Sequence, residues 1–251
     1  MKLGIIGGSG LYRLAGLADV AQRHVMTAWG APSATLTHGR LNGVELFFLP
    51  RHGSHHHLPP HRINYRANIA ALADAGVEFI VATAAVGGIA HNAGTGVIVV
   101  PHQIVDYTYG REHTYSDGTG AHPQHVDFSE PYNARLRAAL ISAAADVNLA
   151  VLTQGVYAAT QGPRLESAAE IDRLERDGCT IVGMTGMPEA ALARELGIDY
   201  ANISLVVNPA AGRAQGAITM ADIERELTDG MGRIRAVISA LTARLAAGAN
   251  S

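Results

Sequence analysis

Five short stretches carry residue types that could do chemistry. The first is Gly7-Gly8-Ser9-Gly10, at the end of the apolar run Leu3–Ile6. Glycines let backbone N–H groups approach an anion, and the Ser9 hydroxyl adds a donor. The run is neither a dinucleotide fingerprint, since Tyr12 stands sixth from Gly7, nor a P-loop, since no Gly-Lys-Ser/Thr follows. The second is Arg51-His52-Gly53, where an apolar strand runs into a loop. An arginine there offers a rigid fork of donors suited to phosphate. In the third, Gln161-Gly162-Pro163-Arg164-Leu165-Glu166, the Glu166 carboxylate lies near a helix N-terminus, where negative charge is favoured. In the fourth, Gly183-Met184-Thr185-Gly186-Met187-Pro188-Glu189, Thr185 stands just before a helix, a place suited to an anion. The fifth is Asn208, at the end of the apolar run Tyr200–Val207, where α/β sheets place ligands. Each has an ordinary alternative: a tight turn, a solvated arginine, a helix cap, a core methionine, a turn asparagine. His55, His56, His57 and His61 invite a metal, but no regular ligand spacing or nearby carboxylate supports one.

These stretches need a scaffold, and the apolar pattern supplies it. Strands are expected at Leu3–Ile6, Phe79–Ala84, Val97–Val100, Leu152–Ala158, Ile181–Val182 and Tyr200–Val207. Thr35–Arg40 and Val44–Leu49 flank Asn42-Gly43, a strong hairpin signal. Helices are expected at Ile63–Ala75, Asn133–Ala145, Leu165–Arg176 and Pro188–Leu196, the last with proline at its first position. Ile223, Leu227, Met231, Ile234, Ile238, Leu241 and Leu245 form one stripe on a final helix reaching about Ala247, with Gly230 and Gly232 as expected kinks. Residues 106–130 read as a long functional loop. The alternation predicts an α/β fold: one domain over residues 1–251, with a mixed β-sheet core flanked by helices on both faces.

Composition narrows the function. The chain has 251 residues, 48% hydrophobic and 16% charged, which excludes intrinsic disorder. Its net charge of −3 gives no basic field for nucleic acid. No apolar run is long enough to span a membrane. The single cysteine, Cys179, and a strand starting at Leu3 lead to the expectation of a reducing, cytoplasmic setting without a leader. The low charge also hints at surface buried in an oligomer.

Taken together, the order and wording of the motifs are specific. Gly7-Gly8-Ser9-Gly10-Leu11, Arg51-His52-Gly53, Asn64-Tyr65-Arg66-Ala67-Asn68, Gly162-Pro163-Arg164, Met184-Thr185-Gly186-Met187-Pro188-Glu189 and the Ser204–Asn208 strand end follow one another along the chain. The chain resembles the trimeric purine nucleoside phosphorylase and methylthioadenosine phosphorylase family over essentially its whole length. The resemblance implies a pentosyltransferase that splits a purine nucleoside with inorganic phosphate and needs no metal or cofactor. It implies that Ser9, Arg51, His52, the backbone near Ala84 and Ala85, and Thr185 hold phosphate, and that Met184 packs on the ribose. It further implies a homotrimer in which His125 reaches into a neighbouring subunit's site.

The same resemblance bears on the substrate. Relatives acting on adenine nucleosides carry aspartates where this chain has Asn208 and Ala210, and no carboxylate at Glu166; those acting on 6-oxopurines carry asparagine and glutamate. A 6-oxopurine presents N1–H to Glu166 and O6 to the Asn208 amide, whereas adenine presents a bare N1 lone pair and an amino group. Ordinary purine nucleoside phosphorylases hold the 5′-hydroxyl with a histidine just before the final helix. Met220 stands in the matching stretch, and a thioether suits a 5′-methylthio group. Alternatives are a phosphorylase of inosine and guanosine, one of methylthioadenosine, an NAD-dependent oxidoreductase suggested by the glycine turn, and a ligand sensor without catalysis.

Overall fold

The chain was described from a computed structural model, which covers residues 1–11, 16–116, 118, 123–214 and 220–248, the side chains of 220–222 excepted. Its strands are β1 (Lys2–Gly7), β2 (Ala18–Arg23), β3 (Leu36–Leu41), β4 (Val44–Pro50), β5 (Phe79–Gly88), β6 (Ile98–Val99), β7 (Gln103–Asp106), β8 (Val156–Ala159), β9 (Ile181–Gly183) and β10 (Asp199–Pro209). Its helices are α1 (Tyr65–Asp74), α2 (Ala134–Asp146), α3 (Ala168–Arg176), α4 (Gly186–Glu195) and α5 (Met220–Gly248).

Among the described residues the strands form one mixed sheet in the order β2-β3-β4-β1-β5-β9-β8-β7, with β10 alongside β5 and β6. The hairpin of β3 and β4 turns through Asn42 and Gly43, both at positive φ, as a two-residue turn matching strand twist requires. β4 then runs parallel to β1, and β1 parallel to β5. Along each strand alternate side chains serve opposite faces. Leu46 and Phe48 join Ile203 and Leu205 under α2 and α5, while Phe47 and Leu49 join Ile80 and Val206 under α1 and α4. A third, smaller cluster seats α3 on the sheet through Ile171 and Leu174. Sequence-local capping sets the helix starts: Asn64, Asn133 and Ser167 accept from backbone N–H groups of the first turns, and Ser167 with Glu170 closes a capping box.

Three expectations need correction. The run 165–176 does not begin as helix: Pro163–Glu166 form a loop, and α3 starts after Ser167 because the capping box fixes its entry there. β10 ends at Pro209, with a register shift between Val206 and Asn208 just before its end. Gly230 does not interrupt α5: the helix continues through it, and a Cβ there would lie 2.2 Å from Leu205 Cδ2, so glycine lets the helix approach β10 closely. Two strands, β2 and β7, were not foreseen; β2 is exposed along its whole length, so no apolar alternation marks it.

The centre of the sheet is open where it matters. β5 pairs with β1 only as far as Ala82 and with β9 only from Gly87. Between those points β10 alone accompanies it. The residues between present their other edge beyond the C-terminal end of β1, a crevice of the kind in which parallel sheets hold ligands.

Candidate active site

A cavity of about 680 Å³ fills that crevice. Its lining includes Gly8, Ser9, Arg51, His52, Ala84, Ala85 and Thr185 together with Leu165, Glu166, Val182, Met184, Asn208 and Ala210. The loop after β4 supplies a wall through His56, His57 and Leu58, and the first turns of α5 supply another through Ile223, Glu224 and Leu227. Residues predicted from separate stretches of sequence therefore meet in one space. Two predicted residues are not placed there. His125 is exposed, outside the cavity lining, and the side chain of Met220 lies outside the described residues.

The turn after β1 is tied to β5 by Gly8, whose N–H donates to Thr83 Oγ1 at 2.9 Å. A Cβ on Gly8 would stand 2.5 Å from the Thr83 carbonyl oxygen, so only glycine brings this backbone in so close. Arg51 is 1% exposed and Glu189 is fully buried. The guanidinium donates from Nε and Nη2 to the two carboxylate oxygens, both at 2.7 Å, and from Nη1 to the Thr83 carbonyl at 2.9 Å. Tyr200 donates its hydroxyl to the same carboxylate at 2.8 Å. A guanidinium has five N–H groups, so two remain on the Nη nitrogens for a ligand, in an orientation the carboxylate fixes. Burial opposes the arginine's charge, but Glu189 more than offsets it and holds the pKa above the ordinary value.

His52 Nδ1 lies 2.9 Å from the Leu58 carbonyl, which can only accept; Nδ1 therefore carries hydrogen and, in the neutral ring, Nε2 is the acceptor. Burial, with the Arg51 charge adding to it, depresses the His52 pKa from 6.5 to about 4. The unfolded chain then takes up this proton first. The stability conferred by a neutral His52 is complete above pH 6.5 and is lost as pH falls toward 4, by up to about 3 kcal/mol. In phosphate-free urea unfolding, wild type should lose its advantage over His52→Gln across that window; two parallel pH curves would refute the assignment.

Glu166 Oε1 accepts from the Thr160 hydroxyl at 2.7 Å. Asn208 Nδ2 donates to the Pro209 carbonyl at 2.7 Å, which fixes which amide atom is nitrogen. One N–H of Asn208 and its Oδ1 remain for a ligand edge. Sequence reasoning missed four contributors. Glu189 was seen only as part of a motif, because nothing local pairs it with an arginine 138 residues away. Ile223 and Leu227 read as core stripe, but the stripe outruns the sheet and its first turns face the cavity. Arg111, in the 106–130 loop, is buried and donates to the carbonyls of Thr160, Gln161, Met184 and Met187 and to the Tyr65 hydroxyl. It binds together segments that carry the site. Among the described residues, no three histidine, cysteine, aspartate or glutamate side chains are grouped to hold a metal ion.

One cavity beyond the C-terminal end of β1 gathers donors suited to an anion, the polar side chains of Glu166 and Asn208, and apolar lining, a combination suited to a nucleoside together with phosphate. The model of the phosphorylase superfamily matches residues 2–243, and the chain belongs to that family. A probable S-methyl-5′-thioinosine phosphorylase of Pseudomonas syringae pv. tomato is 55% identical, over 94% of this chain and 96% of the relative. A probable 6-oxopurine nucleoside phosphorylase of Thermococcus kodakarensis is 43% identical, over 88% and 84%. The methylthioadenosine phosphorylase of Schistosoma mansoni, solved in complex with adenine, superposes with a TM-score of 0.91 at 31% identity, covering 98% of this chain and 92% of that one.

Proposed function

We propose that the protein catalyses phosphorolysis of S-methyl-5′-thioinosine to hypoxanthine and 5-methylthioribose 1-phosphate, a purine-salvage reaction. The observation that carries this reading is that Glu166 and Asn208 line the same cavity as Arg51, His52 and Thr185. A phosphate oxygen bonds to C1′ as the bond from C1′ to N9 breaks, and the electron pair leaves with the purine. The transition state resembles an oxocarbenium ion. The free Arg51 N–H groups, Ser9 and Thr185 hold phosphate beneath the sugar, so that the bimolecular step proceeds in a fixed geometry. Negative charge developing on the base is met by Asn208, whose free N–H donates to O6, while Glu166 accepts from N1–H. Adenine would need the Asn208 amide turned over. That would cost the bond to Pro209 and set two oxygens against each other at the present 2.7 Å.

The 5′-methylthio group is assigned to the apolar wall of Ile223 and Leu227, next to the N-terminal turn of α5 where Met220 stands. The names borne by the Pseudomonas syringae pv. tomato and Xylella fastidiosa relatives support the same substrate. Inorganic phosphate is a co-substrate, and no metal or other cofactor takes part. A homotrimer acting in a reducing, cytoplasmic setting completes the proposal. His125, exposed in the single chain, would serve a neighbouring subunit's site. No helix of the described residues is long and apolar enough to cross a membrane.

The test is incubation with methylthioinosine, methylthioadenosine and inosine, with and without phosphate, followed by product identification. Methylthioinosine should be consumed fastest, only with phosphate, and equally well with a chelator. Faster turnover of inosine would move the assignment to an ordinary 6-oxopurine nucleoside phosphorylase. Chelator sensitivity would end the metal-free mechanism, and light scattering giving a monomer at assay concentration would remove the trimer.

A further inference from the structure

Thr160 follows the last residue of β8 and does not line the cavity. Its backbone N–H donates to the Gly183 carbonyl at 2.8 Å, extending the pairing of β8 with β9. Its hydroxyl has two acceptors in reach, Glu166 Oε1 at 2.7 Å and the Gly183 carbonyl at 3.3 Å. A hydroxyl carries one proton, and the nearer, charged acceptor takes it. Glu166 lies in the loop Pro163–Glu166 ahead of α3, where backbone alone leaves a carboxylate free to swing. The next residue, Ser167, commits its N–H and its hydroxyl to the helix cap with Glu170, so neither serves Glu166.

We propose that Thr160 is a positioning residue for base recognition. Its hydroxyl holds Glu166 Oε1, fixes the rotation of the carboxylate and leaves Oε2 aimed at the N1–H of a 6-oxopurine. The inference rests on the reading of Glu166 given above and adds a residue that acts only through it. Thr160 therefore sets selectivity between purines without touching either one. A substrate with no N1–H draws nothing from the Glu166 contact, so loosening that carboxylate does not weaken its binding.

The experiment measures kcat/KM for methylthioinosine and methylthioadenosine in wild type, Thr160→Val, Thr160→Ser, Glu166→Ser and the Thr160→Val/Glu166→Ser double variant. Valine keeps the shape and removes the donor. Thr160→Val should lower kcat/KM for methylthioinosine roughly 10- to 100-fold, the worth of a hydrogen bond to a charged group, and leave methylthioadenosine nearly unchanged. Thr160→Ser should restore most of the loss. With Glu166 already serine, the valine should cost little more, because the two side chains act as one unit. Equal losses on both substrates, or none, would show that Thr160 only fastens β8 to β9 and would overturn the proposal. If Glu166→Ser leaves methylthioinosine activity intact, the base reading itself fails, an outcome distinguishable from a failure of Thr160 alone. Should the valine variant not fold, Thr160→Ala must show the same change in ratio.

Discussion

Asn208→Asp combined with Glu166→Ser converts the protein from preferring methylthioinosine to preferring methylthioadenosine, and this is the largest change in specificity expected of it. A site built to hydrogen-bond one edge of a substrate can reject the mismatched analogue by up to about 10⁴–10⁵-fold. Asn208→Asp alone helps adenine, because a carboxylate oxygen accepts from the 6-amino group, and hurts hypoxanthine, whose O6 then faces an oxygen. The single change stays incomplete while Glu166 faces the bare N1 of adenine. Removing that carboxylate gives a further, non-additive gain, since both side chains touch one base. The Thr160 hydroxyl, released from Glu166, still has the Gly183 carbonyl 3.3 Å away and need not become a buried orphan. The measurement is kcat/KM for both nucleosides in wild type, each single variant and the double. Wild type preferring methylthioadenosine would overturn the base assignment outright, and an unmoved ratio in the double variant would show that these residues do not read the purine.

The second large effect separates stability from catalysis. Arg51→Met should abolish phosphorolysis and also destabilise the fold by about 3–5 kcal/mol, because it strands the Glu189 carboxylate in the core with only Tyr200 for company. Replacing both partners, Arg51→Met with Glu189→Leu, should recover most of the stability, since an apolar pair of similar volume carries no desolvation cost. It should recover none of the activity, because the N–H groups for phosphate are gone. Urea unfolding and a phosphate-dependent assay on wild type, Arg51→Met and the double variant decide the matter. A double variant as unstable as Arg51→Met would mean that the ion pair is not the source of the loss.

Most of the scaffold was legible because its signals are local. Leu3–Ile6 and Tyr200–Val207 are apolar runs bounded by turn formers, Asn42-Gly43 announces its hairpin, and the stripe from Ile223 to Leu245 can only be one face of a helix. β2 was illegible because all its residues face solvent and carry no alternation. The candidate site was legible in part for the same reason. Ser9, Arg51, Thr185 and Asn208 each stand where a strand meets a turn, a place that can be found without coordinates. Glu189 and Arg111 could not be found that way. A carboxylate in a helix and an arginine in a loop look solvated until the fold brings a distant partner to each. The bulge before Asn208 is likewise a property of pairing between β10 and β5, invisible in either strand alone.

The way β5 shares its edges has a kinetic consequence. Its neighbours β1 and β10 come from opposite ends of the chain, and each lies parallel to it, so every pairing at the centre must close a long stretch of intervening polypeptide. Such contacts carry their entropy cost before they return any stabilisation, which makes this a slow-folding topology. The crevice exists only after both ends have arrived. A nascent chain still lacking its last quarter has the glycine turn, Arg51, Glu166 and Thr185 but neither Glu189 nor Asn208, and so has only part of the site. Substrate binding can stabilise only finished molecules, drawing the folding equilibrium toward the complete chain and never toward a fragment of it.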